Sequence, residues 1–228
     1  MMGRSHLLVA GAGYLTLAAA TPGVLGHVPH AHLAAGAVCA AGASLLPDLD
    51  CPGSTIARAL GPISELLAHL VSRLAGGHRA GTHSLLAWLA TSVALTLTLD
   101  TAHGPTVALV VCTLACALML RVITDARATV CALLALGASV ALVAGVGHAD
   151  QWLPDAVLVG YGTHLLCDLV TVEGVPLLWP LSPRRYKLAL IGATDHWREH
   201  LVCLGAGALG AYLALKLIAV PTLAATVL

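Results

Sequence analysis

The chain consists mainly of apolar stretches of membrane-spanning length, separated by short polar segments. A bilayer with a hydrocarbon core roughly 30 Å thick requires about 20 apolar residues in a helix. Stretches of this kind occur at about 6–25, 31–47, 82–99, 104–120, 128–147, 154–171 and 199–220. Because lipid offers backbone groups no hydrogen-bond partners, these stretches are predicted to be helices. The pattern predicts an all-α polytopic transmembrane bundle of about seven spans, forming a single domain over residues 1–228.

The basic residues predict the orientation of this bundle. If the N-terminus is cytoplasmic, every Lys and Arg except Lys216 falls in a cytoplasmic segment, as the positive-inside rule requires. Lys216 can extend from a helix end to the membrane surface. Only Arg4 precedes the first stretch and another apolar stretch follows it closely, which favours a retained helix over a cleaved signal peptide.

One polar loop has a second kind of pattern. Apolar residues recur at helical spacing between Ser54 and Leu74, with charged residues between them. This spacing predicts an amphipathic helix in the first long cytoplasmic loop. Such a helix could lie along the membrane surface or pack on the core of the protein, and the sequence leaves both alternatives open.

Composition agrees with a membrane protein and narrows its chemistry. Hydrophobic residues make up 58% of the chain and charged residues 10%, whereas soluble domains average about 25% charged residues. The 11 basic and 11 acidic residues balance, so no nucleic-acid partner is predicted. The 7 cysteines are an odd number and do not indicate a disulfide framework. The 12 histidines are the unusual feature.

Several histidines and aspartates fall near the predicted cytoplasmic ends of helices. Such residues are costly near lipid and usually mark a functional site. His164 and Asp168 are spaced to share one helical face. Four separate segments supply the candidate metal ligands, which are His6, Asp48, Asp50, His78, His83, His164 and Asp168. This set exceeds the needs of one tetrahedral zinc ion and fits a site for one or two divalent ions, with zinc preferred and manganese an alternative.

Further residues at the same face have candidate roles. Arg79, Arg184 and Arg185 could hold an anionic group near the metal. The segment from His196 to His200 matches H-x-x-E-H, a zinc-protease motif. It could form an independent site, but the favoured interpretation is that Glu199 or His200 completes the main site.

These motifs resemble a known family. PDLD, HRAGTHSLL and GYGTHLLCDLVTVEGVPLLWPL, in that order, resemble the YdjM-type family of bacterial membrane-bound, metal-dependent hydrolases. His6 in SHLL matches the early histidine of that family. The resemblance implies an inner-membrane protein with a metal-dependent hydrolase site and the same candidate ligands. Cys51 stands where the family often has histidine, and Ala80 replaces a usual glycine. The ligand order is similar, more loosely, to that of zinc-dependent phospholipase C enzymes.

The sequence therefore predicts a membrane-embedded, metal-dependent hydrolase at the cytoplasmic face of the bacterial inner membrane. Its expected substrate is a membrane lipid or another small amphipathic molecule. A phosphoester of a lipid head group, attacked by water that the metal activates, is favoured. Asp48, Asp50 and Glu199 are the predicted catalytic carboxylates. The alternative is a membrane protein that binds metal without catalysis, or a transporter, although the polar cluster lies at one end rather than at the midplane.

Overall fold

The fold is an assembly of helices. The computed structural model describes residues 1–21, 29–54, 56–124 and 126–222. Across these ranges the α-helices are α1 (Gly3–Ala20), α2 (His30–Ala43), α3 (Pro62–Ala75), α4 (Leu85–Leu99), α5 (Gly104–Ile123), α6 (Ala128–Val146), α7 (Ala149–Leu169) and α8 (Trp197–Ala214). Short 3-10 helices cover Pro47–Asp50 and Gly81–His83, and a π-helical turn at Leu215–Ala219 extends α8. Only isolated β-bridges pair extended residues in these ranges, so the predicted all-α class is confirmed there.

Four helical stretches are long and apolar enough to cross a membrane. They are His30–Asp50, Gly104–Ile123, Ala128–Val146 and Trp197–Thr222. Helix α4 is apolar but has only 15 residues. Helices α1 and α7 correspond to two further predicted spans, but neither is among the four. The predicted total of seven spans therefore stays a prediction. Residues 22–25, at the end of the first predicted span, lie outside the described residues.

Helix α3 occupies the loop in which an amphipathic helix is predicted, but it begins at Pro62 rather than Ser54. Proline suits the first turn of a helix, and Gly76 ends α3 in the left-handed conformation, at φ 80°. Its small residues Ser64 and Ala68 are buried. Its large apolar residues are exposed instead, namely Ile63, Leu66, Leu67, Leu70 and Leu74. The apolar stripe of α3 therefore faces away from the rest of the chain.

Helix α2 lies in the interior and contacts α1, α5 and α7. Within its spanning window 67% of residues are buried, compared with 6% in the window that contains α8. Glycines permit the close approach of α2 to its neighbours. A Cβ atom at Gly42 would collide with the carbonyl of Ala115, and one at Gly160 with the carbonyl of Ala40. These contacts hold the end of α2 against α5 and α7, near the candidate site.

Candidate metal centre

Helix ends from distant parts of the chain meet at one end of the bundle. Helices α1 and α4 begin there, and α2 and α7 end there. His6 lies in the first turns of α1, and Asp48 lies in the 3-10 helix after α2. His83 lies in the 3-10 helix that precedes α4, and His164 and Asp168 lie in the last turns of α7. Five of the seven predicted ligands therefore converge.

These five residues form two groups that could each hold a metal ion. One group is Asp48, His83 and His164, and the other is His6, His164 and Asp168. In each group the ligand atoms lie within 4.8 Å of one another. His164 belongs to both groups, so the two candidate positions are adjacent.

The distances around His164 suit a small cation. Its Nε2 atom lies 3.2 Å from Nε2 of His83, 3.8 Å from Oδ1 of Asp48 and 3.7 Å from Oδ2 of Asp168. Nε2 of His83 is 3.5 Å from Oδ1 of Asp48 and 3.9 Å from Oδ2 of Asp168. Tetrahedral zinc with bonds of about 2.0–2.2 Å keeps its ligand atoms roughly 3.4 Å apart. The four side chains are therefore close to the spacing of one tetrahedral site.

Asp168 connects this set to the second group. Its Oδ1 atom lies 3.5 Å from Nε2 of His6 and 2.9 Å from the amino nitrogen of Met1, whereas its Oδ2 atom faces His83 and His164. The imidazole rings of His6 and His164 are stacked, with centroids 4.0 Å apart. One carboxylate oxygen of Asp168 therefore faces His6, and the other faces His83 and His164.

A buried carboxylate oxygen faces the candidate metal positions. Asp168 is fully buried, and its Oδ2 atom has no hydrogen-bond partner among the described residues. A carboxylate oxygen without a hydrogen bond is costly to bury, and Nη2 of Arg79 lies 3.5 Å from this one. Burial alone would lower the pKa of His83, but the neighbouring carboxylates of Asp48 and Asp50 raise this pKa to about 9. The nitrogen and carboxylate donors of the cluster fit a divalent ion.

Hydrogen bonds behind the ligands fix their orientation. Nδ1 of His164 donates to the carbonyl oxygen of Ser44 at 2.6 Å, which turns Nε2 toward the cluster. Nδ1 of His83 lies 3.0 Å from the Thr82 hydroxyl and 3.6 Å from Oδ2 of Asp50. Metal-binding histidines typically hold a carbonyl or carboxylate on the ring nitrogen that faces away from the ion. His164 follows this arrangement directly, whereas Nδ1 of His83 contacts the Thr82 hydroxyl, which itself donates to Asp50.

Asp50 and His78, the other two predicted ligands, lie behind the five that converge. Asp50 accepts hydrogen bonds from Nδ1 of His78 at 2.7 Å, from the backbone amide of Arg79 at 3.0 Å and from the Thr82 hydroxyl. Neither Asp50 nor His78 belongs to a candidate metal group within the described ranges. Their places are those of residues that orient His83.

Of the three predicted anion-binding arginines, one lies at the site. Arg79 contacts Asp168, and its Nη1 atom lies 4.0 Å from Oε2 of Glu173 at the edge of the cluster. Arg184 and Arg185 are exposed, and the Arg184 guanidinium lies over the ring of Tyr186. In the part of the chain that the structure describes, neither forms an ion pair with the cluster.

Glu199 is buried next to the cluster rather than in it. Its carboxylate accepts hydrogen bonds from the Ser5 hydroxyl, the amide of Met2 and the amide of Asp195. The structure therefore places Glu199 as a link between α1 and the start of α8. Because Ser5 precedes His6, this link holds a candidate ligand in place.

The H-x-x-E-H residues do not converge on one point. His196 accepts a hydrogen bond from the amide of Arg198 at the start of α8, and His200 pairs with Asp195 at the surface. Cys51, at the position where the family often has histidine, is outside both metal groups among the described residues. Burial and the neighbouring Asp50 and Asp48 carboxylates raise the pKa of its thiol.

The supporting groups of the site are the part that sequence reasoning missed. The carbonyl of Ser44 and the hydroxyls of Ser5 and Thr82 all contact a ligand or its neighbour. A backbone carbonyl gives no signal in a sequence. Thr82 lies between the predicted ligands His78 and His83. This proximity in the sequence was the one signal that its hydroxyl contacts the site.

Lipid-length helices with a buried histidine and aspartate centre at one end define an integral membrane protein with a candidate metal site. The chain matches the family described as "YdjM inner membrane protein" over residues 1–228, and it belongs to that family. It is 28% identical over 160 residues to the inner membrane protein YdjM of Escherichia coli (strain K12), and equally to that of Shigella flexneri. The aligned region covers 70% of this chain and 57% of each relative. No solved structure matches. Family membership and the apolar helices support a location in the bacterial inner membrane.

Proposed function

We propose that this protein is a membrane-embedded, metal-dependent hydrolase. The observation that carries the proposal is the convergence of His6, Asp48, His83, His164 and Asp168, with His164 shared between two candidate metal positions. The nitrogen and carboxylate ligands favour zinc, with manganese as the alternative. Adjacent positions with a shared ligand are the arrangement used by two-metal hydrolases.

The proposed topology places this centre at the cytoplasmic membrane surface. Helices α1, α2 and α4 to α8 are the seven proposed spans, and α3 lies along the interface. The exposed apolar stripe of α3 supports the placement of α3, because such a stripe is stable at the boundary between head groups and acyl chains. The distribution of Lys and Arg supports a cytoplasmic N-terminus.

The residues of the chain have distinct proposed tasks in hydrolysis. A bound divalent ion would lower the pKa of water and would polarise an oxygen of the ester. Asp48, whose side chain is 20% exposed, is the most accessible ligand of its group and is placed to accept a proton from an attacking water. Arg79 is 17% exposed and is placed to hold the anionic oxygen of the substrate. Asp50 orients His83.

The proposed substrate is a phosphoester in a lipid head group. In the proposed topology the site, at the end of the bundle, lies at the depth that lipid head groups occupy, and Arg79 provides a cation that suits phosphate. This assignment depends on the proposed topology. Arg184 and Arg185 do not support it directly, because they are exposed and outside the cluster.

The test is incubation of purified protein with phospholipids in zinc or manganese, followed by lipid mass spectrometry. We expect metal-dependent loss of a head-group phosphoester that disappears in His164→Ala. The matched control is His69→Ala, which removes an exposed histidine of α3 whose ring contacts only the Glu65 carbonyl among the described residues. Unchanged lipid species with metal-loaded protein would contradict the proposed reaction.

A second candidate function is metal binding without catalysis. The observation that favours it is the complete burial of His83, His164 and Asp168, because structural metal sites are closed whereas catalytic sites keep an open position. In that case chelation would lower the unfolding temperature and no lipid product would form. A transporter would instead give metal-dependent flux in proteoliposomes that Asp168→Ala abolishes.

A further inference from the structure

A groove bounded by α1, α7 and α8 lies beside the candidate metal centre. We propose that it binds one acyl chain of a membrane lipid and so positions the head group of that lipid at the centre. The proposed function concerns the lipid head group, whereas this inference concerns the acyl chain. The role of the groove in positioning a substrate rests on the proposed function. Binding of the chain itself requires neither metal nor catalysis.

The groove is apolar and large. Its volume is about 490 Å³, and its walls include Val9 and Gly13 of α1, Val159 and Leu166 of α7, and Ala206 of α8. The space between the helices exists because Gly13 has no side-chain carbon and Ala206 has only a methyl group. Thr16 also lines the groove, but its hydroxyl donates to the carbonyl of Ala12, so this polar group is already satisfied.

The position of the groove indicates its occupant. Leu17, Leu166 and Leu209 line it and are 43%, 63% and 44% exposed. The groove therefore opens at the side of the bundle, where acyl chains surround a membrane protein. Water has few polar partners there, and an apolar chain gains contact along the walls.

The length of the groove matches one leaflet. Its walls follow α7 from Val159 to Val170, a rise of roughly 16 Å at 1.5 Å per residue. This is about half of a hydrocarbon core roughly 30 Å thick. A single chain that enters from the leaflet on the side of the site fills this length.

One end of the groove adjoins the metal centre. Met1, Cys167, Val170 and Ile191 line that end, and the amino nitrogen of Met1 contacts Asp168. A lipid with its chain in the groove therefore has its polar end beside Asp168. The other end, near Thr16 and Val159, lies deeper along the helices.

The experiment uses the full chain in nanodiscs that contain a phosphatidylethanolamine with a diazirine at the end of one acyl chain. After ultraviolet irradiation, peptide mass spectrometry locates the adducts. We expect enrichment on peptides with Thr16, Leu17 and Leu209 relative to the exposed surface of α6. Moving the diazirine toward the head group should shift the adducts toward Val170 and Ile191.

Two substitutions fill the groove. A Cβ atom at Gly13 would lie 3.7 Å from the Thr163 hydroxyl oxygen, so Gly13→Leu fits locally and extends into the space. Its control is Gly137→Leu, because a Cβ at Gly137 has nothing within 4 Å. Gly13→Leu should reduce groove adducts roughly tenfold, with no change for Gly137→Leu. Ala206→Leu, with Gly205→Leu as its control, repeats the test from α8 if Gly13→Leu does not fold.

The outcomes separate the groove from the hydrolase. The proposal that the groove binds an acyl chain would be overturned if adducts were equally frequent on α6. It would also be overturned if adducts persisted in both folded filling variants. Depth-ordered adducts that the filling variants abolish would support it, even when no lipid is hydrolysed. Metal content, measured on the same samples, reports on the centre alone. If the protein bound no metal but was labelled in the groove, the result would count against the proposed hydrolase and would still support acyl-chain binding in the groove.

Discussion

Asp48 and Asp50 are separated by one residue, yet they face opposite nitrogens of the His83 ring. Oδ1 of Asp48 lies 3.5 Å from Nε2, and Oδ2 of Asp50 lies 3.6 Å from Nδ1. The 3-10 turn of Pro47–Asp50 places the two carboxylates on the two sides of the imidazole. Asp48 consequently faces the candidate metal positions, whereas Asp50 is held by His78, Arg79 and Thr82.

The two aspartates should therefore differ when each is replaced by asparagine. Asp48→Asn removes a charged ligand, and we expect loss of the ion that Asp48, His83 and His164 hold. Asp50→Asn removes only an orienting partner and should weaken metal affinity by about 10–100-fold. Competition with a graded series of chelators measures both effects. Stronger loss in Asp50→Asn than in Asp48→Asn would reverse the assigned roles.

The shared position of His164 gives a second prediction, on stoichiometry. His164→Ala should lose all bound metal, because His164 belongs to both candidate groups. His6→Ala should retain the ion held by Asp48 and His83, since His6 belongs to the second group alone. Elemental mass spectrometry of monodisperse protein measures metal per chain. Equal loss in both variants would indicate one ion bound by the whole set.

Much of the candidate site could be predicted from the sequence because its ligands lie at helix ends. The bias of Lys and Arg predicts that those ends share one membrane side, so His6, Asp48, His83, His164 and Asp168 could be expected to meet. Which side of His83 each aspartate faces depends on the backbone of one 3-10 turn. No pattern of residue types determines that geometry.

The residues predicted to surround the metal ligands were harder to assign than the ligands, for a physical reason. Residue type and location suggested that Arg184, Arg185 and Glu199 serve the site. In the structure the two arginines are exposed, and Glu199 is occupied by donors from α1 and the loop before α8. The path of the long segment between α7 and α8 decides these positions. Gly174 has φ 67° in that segment, and its conformation cannot be read from periodicity.

Glu199 yields a prediction about stability. It is buried and accepts hydrogen bonds from Met2, Ser5 and Asp195. In Glu199→Gln an NH2 group replaces one of the accepting oxygens, so at least one of these hydrogen bonds is lost. The free energy of unfolding should therefore fall by about 1–3 kcal/mol. Ser5→Ala should have a smaller effect because it removes one donor and leaves the carboxylate with two.

The matched control for Glu199 is Glu65→Gln, which alters an exposed pair with Arg58 and should change stability little. Thermal unfolding in detergent, with metal content measured in parallel, distinguishes the roles. A positioning role through Ser5 and His6 predicts weaker metal binding in Glu199→Gln at temperatures where the variant is folded. An unchanged unfolding temperature and unchanged metal binding would contradict both the link and its role.

The last prediction concerns the contact between α2 and α7. A Cβ at Gly160 would collide with the Ala40 carbonyl, so Gly160→Ala must separate the two helices. Such overpacking costs about 1–3 kcal/mol. The separation should also lengthen the hydrogen bond from His164 to the Ser44 carbonyl, now 2.6 Å. We therefore expect lower stability together with weaker metal binding.

Gly137→Ala is the control, because a Cβ there meets nothing within 4 Å. Alanine favours a helix over glycine by roughly 1 kcal/mol, so Gly137→Ala should be neutral or slightly stabilising. Thermal unfolding and chelator competition on both variants give the comparison. If Gly160→Ala unfolded at the wild-type temperature and bound metal normally, the close contact of α2 with α7 would not be what orients His164.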